Sequence, residues 1–189
     1  MPRLKKSTRG NARAAARHAG NGGRPSKPAR SGGGESRAAL IKTQDVVITR
    51  TLDAPRQTVF RAWTEPEQLS QWFGPRGYSA PSPEIEARPE GAVRLDLRGP
   101  DGTQYPNRGT VREIEEPERF AFETSLPDDK GSPILHVLNT VTLSEDHGRT
   151  TLTLKAHVLD AQPEAARFVE QMHAGWSETL DRLTEHIVK

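Results

Sequence analysis

The chain has 189 residues, of which 28% are charged, and no cysteine. Without cysteine there are no disulfides, no thiolate nucleophile and no cysteine metal site, which fits a reducing, cytoplasmic setting. No apolar run approaches the roughly 18 residues that span a bilayer, and the N-terminus lacks the apolar core of a secretory signal.

The net charge of +2 conceals two opposed regions. Residues 1–44 carry eleven Lys or Arg against one acid, Glu35, so 11 − 1 = +10. Residues 45–189 carry 16 basic and 24 acidic residues, so 16 − 24 = −8. The first region is rich in Gly, Pro, Ser, Ala and Arg, and Leu4 is its only large aliphatic residue before Leu40. Such a segment buries too little surface to offset its ordering entropy, so it is expected to be a disordered tail. It could meet nucleic acid or an acidic surface through charge alone. No aromatic residue interleaves the charges, which argues against stacking on single strands.

From Asp45 onward the pattern is that of a folded domain. The stretch DVVITRTLD alternates apolar and polar residues and predicts a strand. Asp53-Ala54-Pro55 then opens a helix, with Pro55 in the first turn, where proline is tolerated, and with Val59, Phe60 and Trp63 on one face. Thr64 and Glu67 have the spacing of a capping box for a second helix. Leu69, Trp72 and Phe73 are the apolar side of that helix, and Gly74-Pro75 ends it.

Short strands follow. Residues 82–88 are a weak one. GAVRLDLRG places Val93, Leu95 and Leu97 on one face and Arg94, Asp96 and Arg98 on the other. Pro100-Asp101-Gly102 predicts a hairpin turn. Residues 109–115 predict a strand that turns at Glu116-Pro117-Glu118 into RFAFETS, which aligns Phe120 with Phe122. After a loop at 126–133, ILHVLNTVTLS and TTLTLKAHVL form a pair joined at residues 145–148. Six or so strands in this arrangement predict an antiparallel meander. A long helix opens near Pro163. Its apolar stripe runs through Ala165, Phe168, Val169, Met172, Trp176, Leu180, Leu183 and Ile187.

The segments ITRTLDAPRQTVFRAWTEPEQLSQWFGP, GTVREIEEPERFAFE and GWSETLDRLTEHI resemble the activator of Hsp-90 ATPase homologue family, within the START-like or SRPBCC superfamily. The resemblance covers residues 45–189. It implies an α+β helix-grip fold: a curved antiparallel sheet wrapped around a long C-terminal helix, with two short helices after the first strand and a cavity between sheet and helix. In that fold Trp63, Trp72 and Phe73 would plug one end. Large aromatics bury about 150–250 Å² each, enough for a few to close a small domain.

No motif commits the chain to a reaction. There is no G-x-S-x-G, H-E-x-x-H, Walker A or G-x-G-x-x-G pattern, and no cofactor is indicated. His136 and His157 lie near strand ends and are candidate general bases, although no acid or nucleophile is tied to either by spacing. This chain has Ala156 where many members of the family carry a histidine. Glu145, Asp146 and His147 are adjacent turn residues rather than a preformed metal set. Glu84 and Glu86, like Glu113 and Glu115, have the i, i+2 spacing of a solvated strand face.

Three functions remain. The first is non-catalytic binding of a small, mostly apolar or aromatic molecule between sheet and helix, by Trp63, Trp72, Phe73, Tyr105, Phe122, His136, Met172 and Trp176. The second is partnership with a chaperone, as the family implies. Its eukaryotic co-chaperones add a separate N-terminal domain that does much of the ATPase work, where this chain has a basic tail. The third is an enzyme of cyclase, aromatase or hydrolase type using the same cavity. The first is the expectation carried forward.

Overall fold

The computed structural model describes residues 45–188, so the basic tail expected at residues 1–44 lies outside the described residues. The first strand, β1, spans Val46–Leu52. Two short helices follow, α1 at Arg56–Thr64 and α2 at Pro66–Trp72. Eight more strands come next, two more than the sequence pattern suggests. These are β2 (Glu84–Ile85), β3 (Ala92–Arg94), β4 (Leu97–Arg98), β5 (Gln104–Tyr105), β6 (Arg108–Glu115), β7 (Arg119–Pro127), β8 (Pro133–Asp146) and β9 (Arg149–Ala161). A single 3-10 turn at Pro163–Ala165 leads into α3, Ala166–Ile187.

Seven strands form one antiparallel sheet in the order β1-β9-β8-β7-β6-β3-β2, while β4 and β5 make a separate hairpin. The extra strands arise because GAVRLDLRG does not stay straight. Leu95 is buried in the core, and Asp96 turns to accept a hydrogen bond from the Asn107 backbone N–H at 2.9 Å. The chain therefore leaves the main sheet after Arg94 and pairs again as β4. The 126–133 loop is also shorter than expected: β7 runs to Pro127 and β8 starts at Pro133.

The helix boundary at Thr64 differs from the capping-box expectation. Thr64 Oγ1 donates back to the Phe60 carbonyl at 3.0 Å, and the residue preceding α2 is Glu65, with no side-chain cap. Pro66 causes this, because a residue before proline is pushed out of the helical region; Glu65 sits at φ −94°, ψ 118°. Pro55 likewise stands one position before α1 rather than inside its first turn. At the far end of α2, Gly74 takes φ 106°, a value that side chains resist. The β8–β9 hairpin turns on His147 and Gly148, at φ 49° and 74°. Two consecutive positive φ values match the right-handed twist of the flanking strands.

Alternation sorts the sheet residues onto two faces. Phe120, Phe122 and Thr124 of β7, Leu135, Val137, Asn139, Val141 and Leu143 of β8, and Leu152, Leu154, Ala156 and Val158 of β9 are buried on the inner face, which carries α1, α2 and α3. Arg112 and Leu159 are extra residues at register shifts against their partner strands. Such bulges bend a strand and help the sheet curve around the helix.

The last helix is fastened at one end. Its C-terminal half buries Thr179, Leu180 and Leu183. Arg182 Nη1 donates to the carbonyls of Gly74 at 2.8 Å and Tyr78 at 3.0 Å, tying α3 to the turn after α2. Arg50 of β1 donates to Ser177 at 2.8 Å and to Asp181 at 3.1 Å. Glu178 accepts from the Arg76 backbone N–H at 3.0 Å, and Glu185 pairs with the Arg76 side chain. In the N-terminal half, Phe168, Val169, Met172 and Trp176 belong to the same apolar stripe but are only partly buried.

This asymmetry sets two stability expectations. Arg182→Met removes charge-assisted bonds to buried carbonyls and is expected to cost about 2 kcal/mol. Urea unfolding would show it as a lower midpoint with an unchanged slope. Leu183→Ala should cost about 2–5 kcal/mol, as a buried truncation does, and Met172→Ala less than half as much. Equal losses in the two variants would show that both halves of the helix are packed alike.

Candidate functional site

The closed end of the grip is an aromatic cluster. Trp63 of α1 meets Trp72 of α2 edge-on, with ring centroids 4.8 Å apart, and Trp72 meets Phe73 at 5.6 Å. The Trp63 ring also lies 6.4 Å from Phe122 on the sheet and 6.1 Å from Trp176 on α3. Phe73 meets Trp176 edge-on at 5.9 Å. Trp63 and Trp72 are 1% and 0% exposed, so these rings are core at this end. The spacing of α1 and α2 makes the cluster: each helix turns one apolar stripe inward, the two stripes meet at Trp63 and Trp72, and Trp63 packs on Phe122. Trp72 Nε1 donates to the Ala62 carbonyl at 3.0 Å, which locks the second helix against the first.

The less buried end, the mouth, lies between the N-terminal half of α3 and the start of β8. The Gln162 backbone N–H donates to the Ile134 carbonyl at 2.8 Å, anchoring the turn before the helix. Leu126 and Ile134 are partly buried there, as are Phe168, Val169 and Met172, whereas Leu97 lies against Gly74 at the fastened end. The β4–β5 hairpin closes one flank. Tyr105 packs edge-on to Phe168 at 6.3 Å and stands 5.8 Å from Tyr78. Burial, and then the neighbouring Tyr105, raises the Tyr78 hydroxyl above its ordinary pKa. The Arg167 guanidinium covers the Phe168 ring at 4.5 Å.

Seven of the eight residues expected from the sequence, namely Trp63, Trp72, Phe73, Tyr105, Phe122, Met172 and Trp176, thus fall on the inner side, divided between plug and mouth. His136 does not join them. It sits on the outer face of β8, where its Nε2 lies 3.2 Å from Glu123. The alternation of β8 decides this, since Leu135 and Val137 take the inner positions on either side of it. His157 is also on the outer face, paired with Asp45. His147 pairs with Asp146 in the exposed hairpin turn. No group of three or more His, Asp or Glu is placed to hold a metal ion among the described residues.

Sequence reasoning missed two polar features of the inner face. Asn139 is 2% exposed, and its Nδ2 reaches Thr124 Oγ1 only at 3.5 Å. Asn139 Oδ1 and Trp63 Nε1 are both buried without a hydrogen-bond partner among the described residues. An asparagine at an inward position of an otherwise apolar strand, VLNTV, was the available signal.

The outer face carries two shallow grooves. One, of about 450 Å³, is lined by Val47, Leu138, Thr140 and Lys155, among others. The other, of about 330 Å³, lies by Pro106, Arg108, Ser125 and Pro127. Between them, Arg112 reaches both Glu90 at 3.0 Å and Glu123 at 2.8 Å. The bond from Arg112 holds the Glu123 carboxyl below its ordinary pKa against the opposing effect of burial, and the charges of Arg112 and His136 add to it. A carboxylate depressed in the folded state stabilises the fold above its unfolded pKa, near 4.3. That contribution is lost as pH falls through the lower folded value. The Tm difference between the wild type and Glu123→Gln is therefore expected at pH 7 and should shrink below about pH 4. A difference independent of pH would contradict the linkage.

Among the described residues, no helix is long and apolar enough to cross a membrane. None of the curated proteins matches this chain. Solved structures of similar fold do. A protein from Nitrosomonas europaea is 26% identical with a TM-score of 0.63, over 76% of this chain and 93% of its own. One from Arthrobacter aurescens is 23% identical with a TM-score of 0.68, over 78% and 88%. An AHSA1 protein from Silicibacter pomeroyi is 18% identical with a TM-score of 0.65, over 77% and 98%. The family model for Activator of Hsp90 ATPase homolog 1-like protein matches residues 53–187. With that match, and an α+β helix-grip architecture to go with it, the chain belongs to the Activator of Hsp90 ATPase homolog 1-like family.

Proposed function

We propose that this protein binds a small, mostly apolar or aromatic molecule, without turnover, at the mouth of the grip between the N-terminal half of α3 and the sheet. One observation carries the reading. The apolar stripe of α3 is continuous, yet within the helix only Leu180 and Leu183 of it are fully buried; Phe168, Val169, Met172 and Trp176 are partly exposed. Partly exposed apolar side chains on a helix that faces a concave sheet are what a ligand of this class would cover.

Titration with the fluorescent probe 1-anilinonaphthalene-8-sulfonate tests this. Saturable binding near one equivalent is expected. Met172→Glu should weaken it at least tenfold, while Thr142→Glu on the outer face leaves it unchanged. Native mass spectrometry of protein purified from its own host would identify a copurified ligand. A probe signal that never saturates, or that responds equally to both substitutions, would remove the reading.

A second reading is favoured by the family description alone, which is that of an activator of a chaperone ATPase. On that reading the outer face or the loops would meet the chaperone. Titrating this protein into a chaperone ATPase assay decides it: no change in rate at saturating concentration would exclude an activator role.

A further inference from the structure

The inner face is apolar except at a few buried polar side chains, and most of these are satisfied locally. Thr150 Oγ1 donates to the Ala54 carbonyl at 2.7 Å. Thr179 Oγ1 donates to the Gly175 carbonyl at 2.7 Å. Trp72 has its bond to Ala62. Asn139 and Trp63 stand apart, because Asn139 Oδ1 and Trp63 Nε1 are both unpaired. A buried polar atom without a partner is costly, and native structures commonly supply one from the protein or from ordered water.

The two atoms belong to one neighbourhood. Asn139 lies directly opposite Phe122 in the β7–β8 register, and the Trp63 ring packs on Phe122. On the other side of Asn139 in the sheet is Ala156, which has only a methyl group to cover it. Above Trp63 lies Trp176, the partly open ring at the boundary between plug and mouth. A molecule entering at the mouth and displacing the loosely held side chains of α3 would meet these polar atoms at its inner end.

We infer that the ligand is an apolar or aromatic molecule bearing a hydroxyl group, and that the Asn139–Thr124 pair on the sheet binds that hydroxyl, with the Trp63 indole N–H as a second donor nearby. The inference rests on the ligand-binding reading above and names its ligand class. A hydroxyl suits Asn139 whichever way its amide is turned, because it both donates and accepts. It also fits the surroundings. A carboxylate or ammonium group at this depth would need a charged partner, and the polar groups on the inner face beside Phe122 are neutral.

The test compares three probes of one shape, measured by displacement of 1-anilinonaphthalene-8-sulfonate from the full chain: 2-naphthol, 2-methoxynaphthalene and naphthalene. The wild type is expected to bind 2-naphthol at least tenfold more tightly than naphthalene, with the methyl ether between them. In Asn139→Val the preference should fall to about onefold, while Thr140→Val, on the outer face, keeps it. If all three probes bind the wild type equally, the polar subsite is overturned, with water satisfying Asn139, and the apolar cleft stands. If none binds, the subsite and the ligand-binding reading fall together. The wild-type comparison needs no variant, so it decides the matter even if Asn139→Val does not fold.

Discussion

The architecture depends on how one helix is held. Arg182 reaches out of α3 and gathers carbonyls from the turn that ends α2. A guanidinium has several donors in a rigid plane, which suits it to a cluster of chain-end carbonyls with no partner of their own. Gly74 makes this possible, because its φ of 106° turns its carbonyl toward the helix. The bond therefore joins three pieces at once: the end of α2, the path toward the small hairpin, and the long helix. With Arg50 holding the same half of α3 to the edge strand, the other half is anchored only through the Gln162–Ile134 backbone bond at its start and by packing, among the described residues.

Burial follows the fastening. Where α3 is tied down, Leu180 and Leu183 are sealed, and Trp63, backed by Trp72, packs on Phe122. Where it is not, the same stripe is only partly buried, with Tyr105 packed against Phe168. Plug and mouth are thus two ends of one apolar surface, and Trp176 is the residue at which one becomes the other. The outer face offers a contrast. Its ion pairs, such as Arg112 with Glu90 and Glu123, are solvated and contribute modestly. They decorate a sheet whose cohesion comes from the opposite side.

Much of this was legible in the sequence. Periodicity located α3, the two short helices and the long β8–β9 pair, because each has an unambiguous repeat and a clear stop. What failed was local and has local causes. The pre-proline position of Glu65 overrode a good capping-box pattern. The outward turn of Asp96 broke a strand whose alternation looked clean. The aromatic side chains that gather on the inner face were legible in the sequence, but not their division between two ends, since a sequence does not say which half of an amphipathic helix is held. His136 attracted attention for its chemistry, while strand parity placed it outside. Asn139 drew none, because a single amide in a β-branched run reads as tolerance until its lack of a partner is seen.

The pairing of β1 with β9 has a kinetic consequence. Val46 lies beside Ala156, so the first strand of the sheet completes its ladder only with the last. Loop closure over that distance must precede the reward of the contact, and folds rich in such pairings form slowly. During synthesis β1 emerges with nothing to pair against, and waits until β9 has followed. Arg50 then waits longer still, since its partners Ser177 and Asp181 come after β9. Order of assembly and order of synthesis run opposite ways here: the first strand to be made is among the last to be secured.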